Sequence, residues 1–190
     1  MERRELFADA EIVEKIKGGD KEAFALIVER YQKGLVTFIF RMVGRHEEAL
    51  ELTQEVFIKV YGNISSYDSN YKFPTWIYKI AGNCTIDHLR RRGPQADSLD
   101  DNGDDGSGGI EIESKDPSPP DILQQKILEN DIAKAILNLP PSQRELVVLR
   151  HIHFRSYEEI AKIMNLPIGT VKNKIFRARK ELIEKLKEKR

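Results

Sequence analysis

Between Lys172 and Lys180 the chain sets long cationic and amide side chains at a spacing that can read nucleic acid. At about 100° per residue, Asn173, Phe176, Arg177 and Lys180 share one side of a helix, flanked by Lys172, Lys174 and Arg179. Arginine and lysine can donate to guanine O6 and N7, asparagine can pair with an adenine edge, and the remaining cations can neutralise phosphate. Val171, Ile175, Ala178, Leu182 and Leu186 recur on the opposite side and give this helix a core to lie on. A basic amphipathic helix with a merely solvated face has the same composition, so the stretch before it decides. Ser156 and Glu159 form an S-x-x-E capping box, a helix start in which each side chain satisfies an orphan N–H. Ile160, Ala161, Ile163, Met164 and Leu166 give that helix an apolar side. Pro167, Ile168 and Gly169 break it, and Thr170 is placed to cap the next. Two short helices, a tight turn and a basic second helix predict a helix-turn-helix that enters the DNA major groove.

Gly62 to Lys72 is turn-rich and contains two tyrosines, Tyr67 and Tyr71. Pro74 suits the first position of a helix running to Arg92 and carrying Trp76. The helix also carries Ile77, Ile80, Ala81, Cys84 and Leu89 and ends in Arg90, Arg91 and Arg92, which favour the helix dipole and could also meet nucleic acid. The helix before the loop, about Glu47 to Tyr61, puts Leu50, Thr53, Val56, Phe57 and Val60 on an apolar side. Glu48, Glu51, Glu55 and Lys59 lie on the other, either solvated or facing a basic partner. Catalytic chemistry finds no support. His46, His88, His151 and His153 are scattered, Cys84 is the only cysteine, and no metal-ligand spacing occurs. No cofactor is expected.

The elements that must position these residues follow from periodicity and charge. Asp9 can cap a helix from Ala10 to Lys17, and Asp20 can cap a long one carrying Phe24, Ile27, Val28, Tyr31, Leu35, Phe38, Ile39 and Met42, with Gly34 as a candidate kink. From Pro120, the residues Ile122, Leu123, Ile127, Ile132, Ile136 and Leu137 should face a core, and a further helix should run from Pro141 to about Phe154. The chain has 31 basic and 31 acidic residues. Nine acids and one base fall between Gly93 and Asp121, which leaves 30 bases against 22 acids elsewhere. That stretch, rich in Asp, Gly, Ser and Pro, reads as a disordered acidic linker. An EF-hand register from Asp101 fails, with Gly103 third and Ile112 twelfth. The expected fold is all-α: two helical domains, 1–92 and 120–190, joined by a flexible acidic linker over 93–119, with a helix-turn-helix in the second. No run of about 18 apolar residues occurs, so membrane insertion is not expected and the cytoplasm is.

Two strings carry a resemblance. One is Leu52-Thr53-Gln54-Glu55-Val56-Phe57. The other is Phe73-Pro74-Thr75-Trp76-Ile77-Tyr78-Lys79-Ile80-Ala81-Gly82-Asn83, continuing to Asp87 and the three arginines. With Leu139-Pro140 and the helix-turn-helix, the chain resembles the extracytoplasmic-function (ECF) sigma factors, small members of the bacterial sigma-70 family. The resemblance implies that Glu51, Leu52, Gln54 and Glu55 dock on core RNA polymerase. It implies that Tyr67, Tyr71, Lys72, Trp76, Lys79, Asn83, Arg90 and Arg91 take the promoter −10 element, with Asn83 at a contacting position; Tyr67 and Tyr71 would then stack on an unpaired base, and Trp76 is equally a wedge at the duplex edge or a core residue. Lys172, Asn173, Phe176 and Arg177 would read the −35 element, with Thr170, Lys174, Arg179 and Lys180 beside them, Lys174 and Arg179 on phosphate. Promoter DNA, core RNA polymerase and an anti-sigma factor are the implied partners. Glu51 stands where the family usually has Asp, Tyr61 where Trp is common, and Asn173 where Ser is frequent. A one-component regulator binding duplex DNA, and a Mg²⁺-dependent recombinase or nuclease using Asp100, Asp101, Asp104 and Asp105, are the rival readings.

Overall fold

A computed structural model describes residues 8–93 and 119–187 of the chain, with side chains of the second span from residue 127 onward. Most of the predicted linker, and Ile122 and Leu123, therefore lie outside the described side chains. The described residues form α1 (Asp9–Lys17), α2 (Ala23–Val43), α3 (His46–Gly62), α4 (Phe73–Arg92), α5 (Pro119–Leu137), α6 (Pro141–Val147), α7 (Tyr157–Met164) and α8 (Ile168–Lys187). No strand occurs among them.

In the first domain α2, α3 and α4 wrap a core in which Ile27, Leu35, Phe38, Ile39, Met42, Val56, Val60 and Ile77 are fully buried. Asp20 caps as expected, its carboxylate accepting the N–H groups of Glu22 and Ala23 at 3.0 and 3.1 Å. Asp9 does not cap. It lies inside α1, after Ala8. Its carboxylate accepts the Tyr31 hydroxyl at 2.5 Å and pairs with Arg30, tying α1 to α2. Gly34 does not interrupt α2, which runs unbroken. A Cβ there would sit 2.8 Å from the Tyr78 hydroxyl, so the glycine makes room for that phenol. Leu50 is exposed, and Ala49 and Leu52 take the core positions on α3 instead.

In the second domain the capping box forms. Ser156 Oγ accepts the Glu159 N–H at 3.1 Å and Glu159 accepts the Ser156 N–H at 3.0 Å. Ser156→Ala should cost about 1 kcal/mol, read as a lower urea midpoint at unchanged m-value. The helix predicted from Pro141 to Phe154 divides. After Val147 it widens into a π-helical turn, Val148–Ile152. It then leaves Phe154 at φ 52° with its ring 79% exposed. Thr170 lies inside the first turn of α8, since that helix begins at Ile168; Asn165, at φ 52°, makes the left-handed end of α7. On α5, Ala135 and Ile136 of the described apolar residues are deeply buried, while Ile127 and Ile132 remain exposed.

The two domains touch. α7 and α6 pack on α4, and α5 on α2. Arg144, itself buried, donates to the Met42 carbonyl at the end of α2 and to the carbonyls of Leu137 and Leu139. Tyr78 and His153 are hydrogen-bonded at 3.1 Å, and the Arg155 guanidinium lies 4.7 Å from the centre of the Tyr78 ring. Burial pushes the Glu145 carboxyl up to about 7 from an ordinary 4.5. Burial, aided by Arg155, pushes His153 down to about 4 from 6.5. Both groups are therefore neutral in the packed chain over mildly acidic pH. A raised carboxyl contributes stability below 4.5 that is lost as pH climbs towards 7, and a lowered imidazole contributes stability above 6.5 that is lost as pH falls towards 4. Between 4.5 and 6.5 the two slopes oppose each other. Compared with wild type, Glu145→Gln should gain relative stability as pH rises from 4.5 to 7 and no further beyond; a pH-independent difference in melting temperature would contradict this.

Candidate nucleic-acid interface

The basic helix of the second domain presents its side chains as its periodicity requires. Val171, Ile175 and Ala178 are buried and Leu182 is half-buried against the domain. Lys172, Asn173, Phe176, Arg177, Arg179 and Lys180 are exposed, Phe176 at 70%. Lys174 and Thr170 are half-buried at the margins of this face. Lys172 also lies 5.8 Å from the centre of the Tyr157 ring on α7, which links the two helices of the helix-turn-helix beside this exposed face. An exposed phenyl among cations and an amide is what an apolar contact to a thymine methyl requires.

The first domain presents a second stripe. Trp76, Lys79, Asn83 and Arg90 follow at intervals of three, four and seven, so one side of α4 carries all four. Lys79, Asn83, Arg90 and Arg91 are exposed, and Trp76 is half-buried against Phe73 and Tyr67 at 5.6 and 5.2 Å between ring centres. Arg90 is held by Asp87 at 2.9 Å and Arg91 donates to the Asp87 carbonyl at 3.3 Å. Arg92 turns away to Glu48 at 3.1 Å, and Glu48 also meets Arg45 and His88.

The loop before α4 differs from expectation at one tyrosine. Tyr71 is exposed, but Tyr67 is only 5% exposed. Its hydroxyl donates to the Tyr71 carbonyl, its ring packs on Phe73, and burial raises its pKa. Tyr67 is thus a core pillar of the loop, and of the two tyrosines only Tyr71 is exposed. An Asp68 carboxylate accepting the Asn70 N–H at 2.9 Å sets the turn between them.

On α3, Glu51 and Gln54 are exposed and Glu55 is partly so. Glu55 pairs with Lys59 at 2.7 Å, and this contact lowers the Glu55 pKa. Leu52 is buried and belongs to the core, because α3 turns it towards the domain interior between Ala49 and Val56. Sequence reasoning overlooked Ile58 here. It is 72% exposed. Its position, seven residues after Glu51 and three after Glu55, was the available signal that an apolar contact shares the acidic face. Among the described residues no group of three or more His, Cys, Asp or Glu is placed to hold a metal ion, and no helix is long and apolar enough to cross a membrane.

Residues 27–95 match sigma-70 region 2 and residues 129–182 match sigma-70 region 4. The chain is 39% identical to the ECF RNA polymerase sigma factor SigW of Bacillus subtilis, over 93% of this chain and 95% of that one. The chain belongs to the ECF RNA polymerase sigma factors. The ECF RNA polymerase sigma-E factor of Haemophilus influenzae is 37% identical over 95% of each chain. The fold is shared with the solved structure of CnrH in complex with the cytosolic domain of CnrY, at a TM-score of 0.70 and 20% identity over 96% of this chain and 99% of that one. It is also shared with the sigma factor RpoE in complex with the anti-sigma factor NepR from Bartonella quintana, at a TM-score of 0.63 and 24% identity over 88% and 98%. ECF sigma factors are transcription initiation factors rather than enzymes. The match over both regions, and not over a helix-turn-helix alone, disfavours the one-component regulator.

Proposed function

We propose that this sigma factor brings core RNA polymerase to a bipartite promoter through two separate exposed stripes. The first domain, residues 1–92, takes the −10 element along Tyr71, Lys72, Trp76, Lys79, Asn83, Arg90 and Arg91. The second, residues 120–190, reads the −35 element with Lys172, Asn173, Phe176 and Arg177, while Thr170, Lys174, Arg179 and Lys180 hold phosphate. The acidic segment 93–119 joins them. Glu51, Gln54 and Glu55, with Ile58 among them, form the face for core polymerase. An anti-sigma factor is the expected regulator, and the cytoplasm the expected location. The protein does no bond chemistry of its own; its contribution is binding energy. The observation that carries this reading is that each domain offers one helix whose buried side anchors it and whose opposite side is exposed and cationic.

The test is reconstitution. Purified bacterial core RNA polymerase is incubated with this protein, recovered by pull-down, and used for run-off transcription from a promoter library. Co-recovery and a two-part consensus are the expected results. Tight duplex binding by the protein alone, with no recovery on core polymerase, would favour a one-component regulator.

A further inference from the structure

The loop that carries Tyr71 is held at both ends by Tyr67, and Tyr67 is held from α1. Tyr67 follows a short 3-10 turn, Ile64–Ser66, and leaves it with extended backbone, φ −66° and ψ 124°. Its ring packs on Phe73 and Trp76, at 5.3 and 5.2 Å between centres. Its hydroxyl donates to the Tyr71 carbonyl and so closes the loop where the chain returns towards α4. Its own carbonyl accepts the Lys17 ammonium at 3.1 Å, across 50 positions of sequence. The same ammonium lies 5.8 Å from the centre of the Tyr67 ring. Between these two closures Asp68, Ser69, Asn70 and Tyr71 are exposed. The helix that bears Lys17 is firmly seated. It buries Ile12, Val13 and Ile16, packs on α2 and on the 3-10 turn, and is tied to α2 through Asp9. A lysine in the last turn of a helix is ordinarily explained by the helix dipole and by a carboxylate one turn back. Lys15 already supplies a cation to that dipole. Glu14 lies 3.4 Å from Lys17, but its side chain is 67% exposed, so that pair is weak. The Lys17 side chain is only 27% exposed and is turned towards the loop.

We infer that Lys17 is a positioning residue for the −10 element: from α1 it fixes the Tyr67 carbonyl, and with it the path of the loop that presents Tyr71 to an unpaired base. The inference deepens the function proposed above and rests on it. A charged donor makes the stronger class of hydrogen bond, and the carbonyl it takes lies where the loop leaves the domain. Ordering the backbone of one residue at the moment of binding lowers affinity by about five- to thirtyfold. A loop already on its path escapes that loss. Without the ammonium, the Tyr67 ring keeps Phe73 and Trp76, so the domain stays folded. The exposed turn from Asp68 to Asn70 is then fixed only from the Tyr71 side, through the Tyr67 hydroxyl. Lys17 thus acts through the loop and not on the DNA.

Trp76 is the only tryptophan of the chain and rests on Tyr67, so its emission reads the loop without polymerase. In the free full chain, Lys17→Met should shift that emission to the red and steepen its quenching by acrylamide. Lys17→Arg, which keeps a charged donor, should leave both as in the wild type. Unchanged emission and quenching in Lys17→Met overturn the brace. Holoenzyme is then bound to fork DNA whose non-template strand is single-stranded over the −10 element selected from the promoter library. Lys17→Met should lower the affinity ratio between this strand and one with scrambled −10 bases by about tenfold, and Lys17→Arg should restore it. Binding to upstream −35 duplex, recovery on core polymerase and the urea midpoint should not change. An unchanged ratio despite altered Trp76 emission overturns the role in recognition. A uniform loss on all strands, with a salt slope lower by about one, places the ammonium on phosphate and overturns it too. So does a loss shared with −35 binding and the urea midpoint, which makes Lys17 a fold residue only. A wild type that does not distinguish the two strands removes the −10 reading itself, and the Trp76 emission then still decides the brace.

Discussion

Replacing Asn173 and Arg177 together with alanine is expected to weaken binding to the −35 element by a factor of about thirty to twenty thousand. The range follows from the roughly 1–3 kcal/mol of discrimination that each good amide or guanidinium contact to a base edge supplies. Both residues are exposed on α8, and alanine is the best helix former, so the helix should survive and the loss should be one of recognition. Holoenzyme binding to promoter DNA at fixed salt, against the same DNA with a scrambled upstream element, measures it. Lys174→Ala gives the contrast. It should weaken all sequences alike and lower the salt slope by about one. Equal losses on specific and scrambled DNA for the Asn173/Arg177 pair would place those residues on the phosphates.

The largest effect on stability is expected at Phe38. Its ring is fully buried and lies 5.4 Å from Tyr78 and 5.7 Å from His153, between centres. Truncation of a buried phenylalanine to alanine costs about 3–5 kcal/mol through lost transfer energy and an unfilled cavity. Domain stabilities are about 5–15 kcal/mol, so a large share is at stake. Urea unfolding should show the midpoint falling with little change in m-value, and the melting temperature should drop by about 6–20 °C. A loss below about 1 kcal/mol would mean that the ring is not the shared support of both domains. Because Phe38 holds the Tyr78 phenol in place, the variant should also loosen the contact with His153.

How much of this was legible before the structure depends on whether a residue's role is local. The Ser156–Glu159 box, the Asp20 cap and the inward face of α8 are set by neighbours three and four positions away, and the structure has them as read. Tyr67 and Leu52 went the other way. Each sits beside residues that do face outward, and a short turn-rich loop has no period that could reveal which tyrosine folds under Trp76. Asp9 was drawn off from capping by Tyr31, a partner 22 residues distant. The π-helical turn after Val147 has the apolar pattern of an ordinary helix continuing, and Phe154, a bulky residue at positive φ, carries no turn signal. Gly34 reads alone as a candidate kink, and its reason shows only once the Tyr78 hydroxyl is in place. The contact between the domains was the least legible feature, because its partners are joined only through the low-complexity stretch 93–119.

The guanidinium of Arg144 on the Met42 carbonyl spans 102 positions. A ribosome adds about 5–20 residues per second, so the nascent first domain waits about 5–20 s for that side chain after Met42 is made. During this interval the end of α2 lacks the donor that closes it, and the Tyr78 hydroxyl has no imidazole to meet. The side of α4 that packs on α6 and α7 is thus made, and open to other proteins on the polysome, before the chain's own second half has been synthesised.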